Sequence, residues 1–139
     1  MTSPLDRRLA RLTFATANLV ASALVLLGVF GALPARWWVV DAGAGVAGGV
    51  LLVSAAGRFT RARWAERATR LASFIVLALG LALVATLALT ASWLWGVYGP
   101  LGRGGAMLLV LVAALALPYL VALPALQLVW IGAPRGRAR

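Results

Sequence analysis

The chain has no cysteine and no histidine. That excludes disulfides, thiolate chemistry, histidine-ligated haem, iron–sulfur clusters and the ordinary zinc sites, so no cofactor is expected. Acidic residues are almost missing as well, with three Asp and Glu in 139 residues. Ser54, Ser73 and Ser92 have neither His nor Lys to activate them, and Asp41 and Glu66 fall at opposite ends of an apolar stretch. A general acid/base pair or an activated nucleophile cannot be assembled from such material, and an enzyme is not expected. Lysine is absent too. All thirteen basic residues are arginine, a bias that reads as a GC-rich bacterial genome.

What remains is apolar: 63% of the residues are hydrophobic and the mean hydropathy is +0.99. Four stretches, about 12–33, 37–57, 71–98 and 106–131, each reach the roughly 20 residues a helix needs to cross a hydrocarbon core about 30 Å thick. They use nearly the whole chain, which predicts an all-α integral membrane protein with one domain, residues 1–139. The first stretch follows a basic segment and ends in Leu-Pro-Ala, as a signal peptide would. Its apolar run exceeds the usual 7 to 15 residues of such a leader, which favours a retained span.

The arginines orient the bundle. Arg7, Arg8 and Arg11 precede the first span, Arg58, Arg61, Arg63, Arg67 and Arg70 separate the second from the third, and Arg135, Arg137 and Arg139 follow the fourth. Only Arg36 and Arg103 fall on the other side. The positive-inside bias therefore predicts a multi-pass protein of a bacterial cytoplasmic membrane with both termini cytoplasmic. A net charge of +10 would suggest nucleic acid in a soluble domain, but here it lies where anionic headgroups lie. The expected partner is anionic lipid at Arg58, Arg61, Arg63, Arg67 and Arg70, with no nucleic acid. Arginines 58, 61, 67 and 70 share a three-residue spacing found in voltage sensors, but sensor arginines lie within a span and these lie between two. Glu66 and Arg70 are spaced for a pair along one helix face.

The short outer segments, around Arg36 and Gly-Pro-Leu-Gly-Arg-Gly-Gly at 99–105, predict two antiparallel hairpins. A shift of 59 aligns Arg8, Arg11 and Leu12 with Arg67, Arg70 and Leu71, and Ala23–Val25 with Ala82–Val84. This leaves two readings open, a parallel internal repeat or chance among Ala and Leu. Trp37, Trp38, Trp93, Trp95 and Tyr98 gather at the outer ends, where amphipathic rings favour the interface.

Three features within the spans invite a role. Ala44, Gly45, Gly48 and Gly49 form small-residue pairs four apart, a groove for another helix, either within the bundle or on a partner. Asp41 is the one acidic residue inside a span; it is either an ion or proton site or an ion-pair partner of Arg36 or Arg103. Pro118 and Pro124 remove two amide donors from the fourth span, and freed carbonyls with Asn18, Thr16, Tyr119 and Gln127 could line a polar path. Asn18 and Gln127 could equally hydrogen-bond across helices. Small multidrug transporters carry a Glu in the first span, where this chain has none. The expectation is a non-enzymatic accessory or assembly subunit that docks a membrane-protein partner or another copy of itself. The alternative is a small oligomeric channel or transporter.

Overall fold

The computed structural model describes residues 4–32 and 37–132. Readings placed on Arg36, Arg135, Arg137 and Arg139, and on Leu33 to Ala35, concern residues outside these. Among the described residues every regular element is helical and no strand occurs. The elements are α1 (Pro4–Leu27) followed by a π turn (Gly28–Ala32), α2 (Trp38–Phe59), α3 (Ala65–Val97), α4 (Gly99–Leu117), a second π turn (Pro118–Ala122) and α5 (Leu123–Gly132). Four segments, Arg8–Gly31, Trp38–Phe59, Ala65–Val97 and Gly99–Ile131, are long and apolar enough to cross a membrane.

The helices of the first, third and fourth spans start earlier than their apolar runs. Residue hydropathy marks where a chain can meet lipid, whereas the backbone is already helical through the charged flank, so α3 begins at Ala65 and not near residue 71. Between α2 and α3 the chain turns on Arg61, a non-glycine residue with φ of 56°. The amide of Thr60 reaches the Ala56 carbonyl and the amide of Ala62 reaches that of Gly57, at 3.1 Å. Those bonds close a left-handed helix cap that would favour glycine at position 61. Because the cap breaks the helix there, arginines 58, 61, 67 and 70 do not share one helix face.

The segment 99–105 departs from expectation: it is helix, not loop. Tyr98 alone separates α3 from α4. Gly99 takes the reversal at φ of 54°, Pro100 stands in the first turn of α4, and Gly102 presses against the Leu94 carbonyl. Glycines that break helices in water here let two helices close on each other.

Pro118 begins a five-residue π turn whose exit is the bond from the Leu123 amide to the Pro118 carbonyl. Pro124 cannot donate to the carbonyl of Leu120, four residues back. That carbonyl is covered by Gly80, where an added methyl would fall 2.5 Å from the Leu120 oxygen. The missing donor and the missing side chain thus lie opposite each other.

In packing, α1 lies mainly on α2 and α3 mainly on α4, while α2 and α5 both meet α3. The apolar core is a thin layer of Ala21, Ala47, Leu51, Val76, Ala116 and Leu120. Farther from the arginines, no residue of α3 from 81 to 90 is buried.

Candidate functional site

Next to the core layer, on its arginine side, lies a polar layer. Each of three helices contributes two residues four apart, which one face of a helix brings into line: Asn18 and Ser22 from α1, Ser54 and Arg58 from α2, Thr69 and Ser73 from α3. The fourth span adds Gln127 from α5. All seven side chains are buried, Arg58 being the most accessible at 6%.

Their hydrogen bonds close a ring around the bundle. The Ser73 hydroxyl donates to Oε1 of Gln127 at 2.9 Å, joining α3 to α5. Gln127 Nε2 donates to Asn18 Oδ1, and Asn18 Nδ2 returns to Gln127 Oε1 at 3.5 Å, joining α5 to α1. Asn18 Nδ2 also donates to Ser54 Oγ at 3.0 Å, joining α1 to α2. Ser54 donates to Thr69 Oγ1 at 3.0 Å, and Arg58 Nε donates to the same oxygen at 2.9 Å, joining α2 to α3. Thr69 passes its own proton to the Ala65 carbonyl at 2.7 Å. It accepts two bonds and gives one, the full capacity of a hydroxyl. Beside the ring, Ser22 donates to the Gly48 carbonyl at 2.8 Å.

Arg58 is the charged member. Its guanidinium lies 5.5 Å from the centroid of the Phe14 ring. Phe14 in turn meets Trp130 at 5.5 Å, so aromatic contact closes α1 onto α5 on the arginine side of the amides. A cation over a ring and a charge-assisted bond offset part of the cost of burying the guanidinium. Among the described residues, the buried side-chain polar atom left without a partner is Nε of Arg11, at the same end of the bundle.

The residues marked out on sequence are distributed unevenly. Asn18 and Gln127 meet. Tyr119 packs beside the apolar core, and Thr16 bonds back to the Leu12 carbonyl of its own helix at 2.7 Å. Asp41 stands in the first turn of α2, about 20 Å of helix away from Ser54. Arg103 lies 5.6 Å from the Trp95 ring centroid. In the small-residue stripe, Ala44 and Gly48 are buried, and a methyl on Gly48 would fall 2.6 Å from the Leu26 side chain. Gly45 and Gly49 face outward, where a methyl would meet nothing within 4 Å. Arg61, Arg63, Arg67 and Arg70 are exposed, while Arg58, grouped with them on sequence, points inward. It stands one turn after Ser54 on the face that packs, and the turn at Arg61 comes too late to carry it out to lipid headgroups.

Three ring members, Ser54, Thr69 and Ser73, were not marked out as a site on sequence, and Arg58 was marked out as a lipid contact and not as a member of a buried ring. Their signal is the repeated four-residue spacing of polar groups next to the arginine-rich segments. Chemically the ring holds amides, hydroxyls and a guanidinium. It can fix helices or bind a polar group, and none of these side chains is a general base near neutral pH. Comparisons with protein-family models, with curated proteins and with solved structures find no match for this chain.

Proposed function

We propose that this is a non-enzymatic bacterial cytoplasmic-membrane protein, with both termini and the arginine turn in the cytoplasm, that serves as an accessory or assembly subunit by docking helices of another membrane protein. The observation that carries the reading is the outward pair Gly45 and Gly49, a small-residue groove the bundle leaves unused. The lengths of the helices support it. From the ring layer, α2 runs about 24 Å from Ser54 back to Trp38, whereas α3 runs about 42 Å from Thr69 to Val97. The α3–α4 pair therefore extends beyond α2 and offers helix faces with no neighbour among the described residues. Against a solute path stands the apolar layer of Leu51, Val76 and Leu120, which lies between the ring and Asp41.

Gly45→Leu and Gly49→Leu test the proposal. Each variant should insert and unfold like the parent but lose a co-purifying membrane protein after gentle solubilisation. If the parent protein carries an ion or solute flux in vesicles, and these variants lose it without losing a partner, the channel or transporter reading replaces this one. Reporter fusions in the arginine turn and in Gly102 to Gly105 should give opposite signals.

A further inference from the structure

The arginine turn does more than present diffuse charge. Arg63, Glu66, Arg67 and Arg70 line a concave pocket of about 240 Å³ where α3 begins. Arg63 precedes the helix. Glu66, Arg67 and Arg70 project from its first two turns, with Arg67 and Arg70 three apart and so neighbours on one side. Three guanidinium groups and one carboxylate leave a net charge of +2. The start of a 33-residue helix adds the positive end of its dipole, and no side chain caps it. Trp64, exposed and immediately before α3, is a residue type that settles at the membrane interface.

We propose that this pocket is a specific site for a lipid headgroup bearing two phosphate charges. The assignment rests on the arginine turn lying at the membrane surface, and it deepens that reading from general attraction to a defined site. Net charge selects the ligand class: a singly charged phosphodiester leaves half the pocket charge uncompensated, whereas two phosphates match it. Paired guanidinium forks supply the bidentate contacts that phosphate oxygens favour. Arg58 takes no part, because it is committed to Thr69 and Phe14.

The test uses the full-length protein in lipid nanodiscs, with cardiolipin set against phosphatidylglycerol at equal total negative charge, and with bound lipid counted by native mass measurement after extraction. The expected result is retention of cardiolipin in preference to phosphatidylglycerol, and for Arg67→Gln/Arg70→Gln a retention on the order of thirtyfold weaker. Arg8→Gln/Arg61→Gln removes the same charge from the same end of the bundle without touching the pocket lining and should leave retention unchanged. Equal retention of the two lipids at equal charge, or equal losses in the two double variants, would overturn the pocket in favour of diffuse attraction. Thermal stabilisation by inorganic pyrophosphate matching that by cardiolipin would overturn the lipid assignment in favour of a soluble phosphate ligand. Because the nanodisc exposes both faces, the outcome is independent of the orientation of the protein in the cell. That is read separately by the reporter fusions.

Discussion

The two ends of this bundle are held by different physics. At the arginine end, four helices meet in a ring of side-chain hydrogen bonds, each partner satisfied by a neighbour on another helix. At the far end, the buried positions among the described residues are small ones, Ala44 of α2, Ala91 of α3 and Gly102 and Ala106 of α4, and most side chains around them are exposed. Lipid tails are as apolar as leucine, so burial of Leu or Val gives helices in a membrane little reason to choose one another. Polar groups do give one. One end is specified, and the other is free to meet something else.

The comparison breaks most sharply at Gly80, where the two regimes join. Gly80→Leu must push α3 off the Leu120 carbonyl and re-expose it, so we expect a loss of about 3 kcal/mol in detergent unfolding titrations, the upper range for overpacking. Parent-like unfolding would show that the fourth span is not seated on α3. The ring comes next. Gln127→Leu removes three side-chain bonds, about 2 kcal/mol at roughly 0.6 each. Thr86→Val, in the far half, removes a hydroxyl that bonds only its own helix at Ala82 and should change stability by less than about 0.3 kcal/mol. Equal effects of the two would erase the distinction between the ends.

Smaller changes sharpen it. Arg61→Gly relieves a left-handed backbone and should stabilise by about 1 kcal/mol, read in the same titrations. Finally, Gly49→Ala should be neutral or stabilising by up to about 1 kcal/mol, since its face is empty. Gly48→Ala should forfeit that gain against Leu26. A reversed order for this pair would mean that the inward and outward faces of α2 have been exchanged.

The four spans are legible in sequence because apolar runs of sufficient length have few other uses. The pairing of Asn18 with Gln127 could be named as a hydrogen bond across helices, but a polar path stayed open beside it, since nothing local fixes which spans face each other. The same limit applies to the stripe on α2. Pairs 44/48 and 45/49 differ by about 100° around the helix, and only a neighbour decides which turns inward. The segment 99–105 was misread for a different reason. Glycine and proline punctuate helices in water, but beside a second helix Gly102 allows close approach and Pro100 merely starts a turn. Arg58 was misassigned by its charge, although its spacing from Ser54 already put it on the inner face.

The ring also bears on how the molecule is made. Its members are spread over all four spans, and Gln127, which bonds both Asn18 and Ser73, belongs to the last of them. A chain is delivered to the membrane from its N-terminus, so three helices must wait there with an amide and a hydroxyl facing hydrocarbon until the fourth arrives. Unpaired polar groups are costly in that environment. The incomplete bundle is therefore the species most in need of the insertion machinery's shelter, and arrival of the final helix both ends that need and locks the order of the other three.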